Sequence, residues 1–207
     1  MLEGMKRTKS SKDSRLPINL ELLTKIIDKL SSICFSSYEA LLFATAFTFA
    51  FHGFLRVGEI VYTMPGQAHQ IIGLKNVTVV KVGDLQSIKV QINHSKNDQI
   101  GKGVYIYINE RCTQICPLEF CNKYIAERPS ISGPLFCHFN GKPMSRYQLV
   151  SVLNKALKVL KIDASSYKSH SFRIGATSSV AAQHISNEKI MKLGRWKSNA
   201  FKSYIRS

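Results

Sequence analysis

The chain has 207 residues, and its hydrophobic content of 44% is enough for a folded domain with an apolar core, which argues against a disordered protein. It holds 29 lysine and arginine residues against 13 aspartate and glutamate residues, so its formal net charge is +16. Such an excess indicates a polyanionic partner, because phosphate neutralisation and counterion release dominate the affinity of proteins for nucleic acid. A basic protein without any specific nucleic-acid site is the alternative.

The cysteines argue against a disulfide framework and against a metal site. They number five, which is odd, and no signal peptide precedes them. Cys112, Cys116 and Cys121 are too irregularly spaced for a zinc ribbon, so we expect reduced thiols and no bound metal. We accordingly expect the protein in the nucleus if its organism is a eukaryote and otherwise in the cytoplasm, but not outside the cell.

Residues 1 to 15 are polar and basic and have no apolar periodicity, which predicts a flexible linker or arm. Lys6 and Arg7 are its candidates for contact with a DNA backbone, and a solvated terminus without such contacts is the alternative. We expect one folded domain from residue 16 to residue 207.

Two helices are predicted at the start of this domain. Asn19 is a candidate N-cap for the first, whose apolar residues have helical spacing: Leu20, Leu23, Ile26, Ile27 and Leu30. The next apolar stretch, residues 40 to 51, is too short for a membrane span, which needs about 20 apolar residues. It therefore predicts a buried central helix.

A charged pair follows this central helix. Arg56 needs a partner or a functional site, because an isolated buried charge is unfavourable. Glu59 lies three residues further on, close enough to hold the guanidinium. A plain ion pair on the surface is the alternative.

The middle of the chain predicts a small antiparallel sheet. Residues 76 to 82, 86 to 92 and 104 to 108 alternate in polarity or are rich in β-branched residues. The polar connection between the second and third strands holds Lys96 and Lys102 and suits a hairpin that lies against a nucleic-acid backbone. A solvated turn lysine is the alternative for Lys96.

The rest of the chain predicts four helices and makes the fold class α+β, mainly α. They cover residues 116 to 128, residues 145 to 160, a segment starting near Ser169, and a segment capped by Ser186. In the third of these, His170 and Arg173 lie three residues apart, so an imidazole and a guanidinium can converge on one phosphate.

Tyr204 completes a set of residues suited to phosphoryl transfer. A tyrosine hydroxyl is a weak nucleophile, but flanking cations and a nearby base favour its phenolate. With His170 and Arg173 on the same phosphate, such a tyrosine would form a covalent phosphotyrosyl intermediate.

The order of these motifs resembles the tyrosine recombinase, or phage integrase, superfamily, and is closest to recombinases of DIRS-like retrotransposons. Residues 53 to 60 resemble its first arginine motif, with Phe54 inserted between Gly53 and Leu55. His-x-x-Arg at 170 to 173, Leu-Gly-Arg-Trp at 193 to 196 and Tyr-Ile-Arg at 204 to 206 follow in order. The resemblance covers residues 16 to 206 and implies the helical catalytic core of the superfamily, with its small three-stranded sheet.

The resemblance implies a role for each candidate residue. Arg56 and Arg173 would hold the non-bridging oxygens of the scissile phosphate, and Glu59 would support Arg56. Lys96 would be the general acid, His170 the base or hydrogen-bond partner, and Tyr204 the nucleophile. No metal or other cofactor would be needed, because positive side chains take that part. The expected DNA contacts outside the reacting centre are Lys6, Arg7, Lys102, Lys168 and Lys197.

One position departs from the pattern of the superfamily, whose members usually have His or Trp directly after the glycine that corresponds to Gly194. Here Arg195 occupies that place and Trp196 follows. We expect Trp196 to take the role and Arg195 to support it, and substitution by Arg195 itself is the alternative.

The implied function is site-specific recombination or integration of double-stranded DNA. The strands would be cleaved and rejoined through a 3′-phosphotyrosyl intermediate. The expected assembly is a homotetramer on DNA. We expect residues 16 to 207 to be the catalytic domain alone, without the N-terminal DNA-clamp domain that the resemblance implies. Two alternatives stay open: a non-catalytic DNA-binding relic of a transposable-element recombinase, and a type IB topoisomerase-like nicking and closing enzyme.

Overall fold

The computed structural model describes residues 14–62, 71–93, 103–110 and 115–206. Most of the predicted basic arm lies outside these ranges. So do five of the residues named above: Lys6, Arg7, Lys96, Lys102 and Cys112.

Seven α-helices and one sheet make up the described part of the chain, which confirms the mainly α, α+β prediction. The helices are α1 Leu20–Ile33, α2 Ser37–His52, α3 Val57–Ile60, α4 Pro117–Glu127, α5 Arg146–Val159, α6 Ser171–Ala182 and α7 Asn187–Gly194. Short 3-10 helices cover Leu74–Asn76, Ala164–Ser166 and Asn199–Tyr204.

Helix α2 is the centre of the fold, as its continuous apolar sequence predicts. All of its residues from Leu42 to Phe51 are buried, and aromatic contacts join it to other parts of the core. Phe47 stacks on Phe172 of α6 with ring centroids 4.9 Å apart, and Phe49 meets Phe136 edge to face. No helix among the described residues is long and apolar enough to cross a membrane.

The predicted sheet is present, with strands β1 Val77–Val82, β2 Leu85–Ile92 and β3 Val104–Asn109 in antiparallel order β1-β2-β3. Ile88, Val90 and Ile92 of the central strand are buried against the helices. The sheet therefore packs one face on the core, in keeping with the alternating polarity of its strands.

The helix caps follow from the polar residues that precede each helix. The side chains of Asn19, Ser36, Ser145 and Ser186 each accept a hydrogen bond from a backbone N–H in the first turn of α1, α2, α5 and α7, respectively. Helix α6 begins at Ser171 rather than at Ser169, because the hydrogen bonds of the helix start from His170, whose carbonyl accepts from the backbone N–H of Ile174. His170 thus lies at the N-terminal end of the helix.

The segment before α1 crosses α6 closely. The backbone N–H of Ile18 donates to the carbonyl of Ser171 over 3.0 Å, and a Cβ at Gly175 would stand 1.7 Å from the carbonyl oxygen of Ile18. Only glycine at position 175 permits this approach.

The cysteines among the described residues form no disulfide with one another: Cys34, Cys116, Cys121 and Cys137. Burial raises the pKa of Cys34 to about 11 and that of Cys121 to about 12. Both thiols are therefore protonated at neutral pH. Among the described residues, no cluster of histidine, cysteine and acidic side chains is placed to hold a metal ion.

Candidate active site

Three arginines and one glutamate meet where three parts of the fold come together. Arg56 stands at the start of α3 and Glu59 lies within this helix, Arg173 belongs to α6, and Arg195 directly follows α7. Residues far apart in the chain thus form one cluster, which we call the arginine cluster: Arg56, Glu59, Arg173 and Arg195.

Glu59 is 4% exposed and is the acceptor of the arginine cluster. Its Oε1 accepts from Nη1 of Arg56 over 3.2 Å, and its Oε2 accepts from Nη2 of Arg195 over 2.8 Å. Oε2 also accepts from the backbone N–H of Arg56 over 2.8 Å. The predicted pair of Arg56 and Glu59 is present, and the same carboxylate also binds the guanidinium of Arg195, a contact that no local sequence pattern predicts.

Arg173 is 1% exposed and is held by backbone carbonyls instead of a carboxylate. Its Nη1 donates to the carbonyl of Phe54, and its Nη2 donates to the carbonyl of Gly194. Burial, together with the positive charges of Arg56 and Arg195, lowers the pKa of Arg173 to about 9. The guanidinium stays charged at neutral pH, in a region where positive charges outnumber negative ones.

The two acceptor carbonyls belong to turns with unusual backbone conformation. Phe54 has φ of 48° and Arg195 has φ of 57°, both in the left-handed region that non-glycine residues rarely adopt. Each residue lies just beyond a helix end, α2 for Phe54 and α7 for Arg195. Left-handed residues commonly end helices, and here they also turn backbone oxygens toward Arg173.

Two aromatic rings cover the buried Arg173. The Trp196 ring centroid lies 4.2 Å from its Cζ, within the range of a cation–π contact, and the Tyr204 ring centroid lies 5.8 Å from it. The Trp196 and Tyr204 rings are 5.3 Å apart, and the His170 ring is 6.3 Å from Tyr204. Gly194 makes room for the indole, because a Cβ there would stand 1.5 Å from Trp196 Cζ3.

Tyr204 ends the 3-10 helix Asn199–Tyr204, whose Phe201 is fully buried. Ser178 of α6 holds the backbone on both sides of the tyrosine: its Oγ donates to the carbonyl of Tyr204 over 3.3 Å and accepts from the N–H of Arg206 over 2.9 Å. Ser178 is not among the functional candidates that the sequence predicts. Its only sequence signal is a hydroxyl among the small residues of α6, five positions after Arg173.

The structure brings together seven of the candidate residues: Arg56, Glu59, His170, Arg173, Arg195, Trp196 and Tyr204. Trp196 faces Tyr204, whereas Arg195 turns back to Glu59. Lys168 and Lys197 are exposed and stand two residues before His170 and directly after Trp196, respectively. Lys96, the predicted general acid, lies outside the described residues together with Lys6, Arg7 and Lys102.

The arrangement suits the binding of an anion beside a tyrosine. Fixed guanidinium groups in a site with little water stabilise negative charge strongly, because no reorganisation is needed when the charge develops. The rings of Trp196 and His170 lie next to the Tyr204 ring, with centroids 5.3 Å and 6.3 Å away.

Solved structures with a similar fold are those of tyrosine recombinases. XerH recombinase bound to its difH substrate matches with a TM-score of 0.66 and 15% sequence identity over 92% of this chain and 50% of that one. A lambda integrase dimer bound to a core site matches with a TM-score of 0.62 and 16% sequence identity, over 98% of this chain and 51% of that one. The Flpe–Holliday junction complex matches with a TM-score of 0.59 and 18% sequence identity, over 90% of this chain and 47% of that one.

The chain thus spans about half the length of these proteins. No protein-family model matches the sequence, and no curated protein matches it. At such low identity the similarity concerns the fold, which is that of the catalytic domain of tyrosine recombinases.

Proposed function

We propose that the chain catalyses DNA strand cleavage and rejoining in site-specific recombination, through a covalent 3′-phosphotyrosyl intermediate. The observation that carries this proposal is the position of Tyr204, whose ring centroid lies 5.8 Å from Cζ of Arg173 and next to the rings of His170 and Trp196. A tyrosine next to a buried cation cluster is suited to attack a phosphodiester that the cations hold.

In the proposed reaction, Arg56 and Arg173 bind the non-bridging oxygens of the scissile phosphate. The Tyr204 hydroxyl gives up its proton, with His170 as base or hydrogen-bond partner, and its oxygen bonds to phosphorus. The bond from phosphorus to the 5′ oxygen breaks, and that oxygen takes a proton from Lys96 as general acid. Rejoining runs through the reverse steps with a 5′ hydroxyl as the attacking group, so the phosphodiester is conserved.

Substrate binding in this proposal includes a movement of the aromatic rings. Arg173 is covered by Trp196 and Tyr204, so a phosphate reaches its guanidinium only when the Tyr204 ring moves aside. The phosphate would then lie between the tyrosine hydroxyl and the arginines, which is the order that the attack requires.

The second candidate is a DNA-binding relic without catalysis. It is favoured by the burial of Arg173, whose two Nη atoms already donate to backbone carbonyls. If the rings do not move aside, the domain binds DNA through its basic surface only. A type IB topoisomerase-like enzyme would use the same side chains and would differ by relaxing supercoils without exchanging strands.

The motif resemblance supports three further parts of the proposal. The chain would derive from a transposable element of the DIRS-like kind, act in the nucleus of a eukaryote, and assemble as a homotetramer on DNA. The structures of XerH, lambda integrase and Flpe each contain DNA, which supports double-stranded DNA as the partner.

The test uses DNA duplexes from the ends of the parent element, each nicked near one candidate cleavage site so that the cleaved end is lost. We expect the wild type to form a protein–DNA adduct on a denaturing gel with chelator present, and Tyr204→Phe to form none. Tyr147→Phe is the matched control, because Tyr147 is an exposed tyrosine on α5, and it should form the adduct.

Each other outcome decides between the candidates. DNA binding in a gel shift without any adduct would contradict cleavage and support the relic. Adduct formation together with relaxation of supercoiled plasmid, but without strand exchange, would support the topoisomerase-like enzyme.

A further inference from the structure

The sequence departs at two positions from the motifs of the tyrosine recombinase superfamily, and these two positions contact each other in the structure. Phe54 is the residue inserted in the first arginine motif, and Arg195 occupies the place after Gly194. Nη2 of Arg195 donates to the carbonyl of Phe54 over 3.2 Å, although 141 positions separate them. Arg173 donates to the same carbonyl. The turn that leads to Arg56 and the turn that leads to Trp196 are thus joined by two guanidiniums.

The arginine cluster carries an imbalance of charge. Its three guanidiniums and one carboxylate, Arg56, Arg173 and Arg195 against Glu59, leave two positive charges unbalanced. Within the described residues, no carboxylate other than Glu59 forms an ion pair with any of the three. Without Arg195, the charge of Glu59 would offset one of the two arginines that face the proposed phosphate.

Arg195 is an unfavourable residue to bury unless an anion binds nearby. Its side chain is 10% exposed, and its Nε and Nη1 are buried without a hydrogen-bond partner among the described residues. Buried N–H groups without an acceptor, and a third cation next to two others, both destabilise the folded state. Burial also lowers the pKa of Arg195, while Glu59 opposes that change.

We propose that Arg195 is a positioning residue of the phosphate site that shares the charge of Glu59 with Arg56, so that more of the positive charge of Arg56 and Arg173 is directed to the phosphate. The inference rests on the proposed function for the identity of the anion. Its alternative is a purely structural role, in which Arg195 only joins the two turns.

The charge role makes a prediction that a structural role does not make. Arg195→Met leaves Glu59 to offset Arg56, so the affinity for inorganic phosphate should fall about tenfold or more. Arg195→Lys keeps the charge and can still reach Glu59, so it should stay within about threefold of the wild type. The double variant Glu59→Gln with Arg195→Met restores two unbalanced charges, and its phosphate affinity should return to within about threefold of the wild type.

The measurement is a titration of the whole chain with inorganic phosphate at constant ionic strength, by calorimetry and by the fluorescence of Trp196. Trp196 is the only tryptophan of the chain and lies 4.2 Å from Arg173, so its emission reports on this site. Lys25→Met is the matched control, because it removes one positive charge from an exposed ion pair on α1. Thermal unfolding of each variant shows whether it folds. The double variant removes the buried pair of Glu59 and Arg195 together, and proteins tolerate this better than the loss of one partner of a buried pair.

The outcomes separate this inference from the proposed function. The inference is supported if the wild type, Arg195→Lys and the double variant all bind inorganic phosphate more tightly than Arg195→Met does. This holds even if the wild type forms no DNA adduct, because that result contradicts only the proposed function. Equal phosphate affinity for Arg195→Met and wild type, a double variant as weak as Arg195→Met, or no phosphate binding by the wild type would each overturn it.

Discussion

At the scale of single residues, the candidate site orients its arginines in two different ways. Arg56 and Arg195 share the carboxylate of Glu59, whereas Arg173 donates to the neutral carbonyls of Phe54 and Gly194. A carbonyl fixes a guanidinium without cancelling its charge, so Arg173 keeps the stronger attraction for an anion. We therefore expect the protonation of Arg173 to control the binding of an anion at this site.

The affinity for inorganic phosphate should therefore depend on pH through Arg173. Burial and the neighbouring cations Arg56 and Arg195 lower its pKa to about 9, and a base with a lowered pKa loses its charge at a lower pH than usual. We expect the affinity to be highest at about pH 8 and to decline as the pH rises above about 9, where Arg173 loses its charge. Titration calorimetry across this range checks it, and unchanged affinity at about pH 10 would contradict the lowered pKa.

The sequence reveals some residues of the site and not others. Arg56 with Glu59, and His170 with Arg173, are visible because each pair is three positions apart. The contact of Arg195 with Glu59 spans 136 positions and depends on a left-handed turn, so no local pattern indicates it. Ser178 is equally hidden, because its hydrogen bonds to the backbone of Tyr204 and Arg206 exist only in the fold. The role of Lys96 stays a prediction.

At the scale of elements, α6 organises the site. Its N-terminal end carries His170 and Arg173, Ser178 anchors the chain around Tyr204, and Gly175 lies against the backbone of Ile18. A shift of this helix would move the imidazole, the guanidinium and the tyrosine together. Close packing of α6 is therefore a requirement of the site as well as of the core.

Gly175→Ala tests this packing. A Cβ at position 175 would stand 1.7 Å from the carbonyl oxygen of Ile18, so the backbone must move apart. We expect a loss of about 3 kcal/mol in the free energy of unfolding, measured by urea denaturation. Gly58→Ala is the control, because a Cβ at Gly58 in α3 has no neighbouring atom within 4 Å, and it should be neutral or stabilising by up to about 1 kcal/mol. Equal stability of the two variants would contradict the role of Gly175.

Most elements could be predicted from the sequence because their signals are local. The apolar spacing and Asn19 indicate α1, and the β-branched strands indicate the sheet. The start of α6 differs by two residues because its hydrogen bonds, not its composition, decide where the helix begins. The meeting of the turns at Phe54 and Arg195 could not be predicted, since it depends on how α2 and α7 pack against α6.

At the scale of the whole molecule, the chain is basic and its arginine cluster, with two unbalanced positive charges, lies next to Tyr204. The chain also shares its fold with DNA-bound recombinases, at 15% to 18% sequence identity. Low identity with a shared fold means that the backbone arrangement is retained while most side chains differ. Lys168 and Lys197 are exposed next to residues of the site in the sequence, where a DNA backbone would pass in the proposed complex.

Binding to double-stranded DNA should weaken steeply with salt, because each neutralised phosphate releases counterions. If Lys168 and Lys197 each contact one phosphate, Lys168→Ala and Lys197→Ala should each reduce the slope of log affinity against log salt by about 0.9. Lys25→Ala is the control, because Lys25 is paired with Glu21, and its slope should match the wild type. Fluorescence anisotropy at several salt concentrations measures the slopes, and unchanged slopes for the first two variants would exclude them as phosphate contacts.

The measurement that tests the central claim most directly is to map the amino acid that bonds to DNA. The adduct trapped on nicked DNA is digested with trypsin, which releases Tyr204 in the short peptide from residue 203 to residue 206. Mass spectrometry should find the nucleotide on this peptide, linked through the tyrosine oxygen to a 3′ phosphate. A nucleotide on a peptide with another of the chain's 8 tyrosines, or on a serine, would contradict the assignment of Tyr204 as the nucleophile.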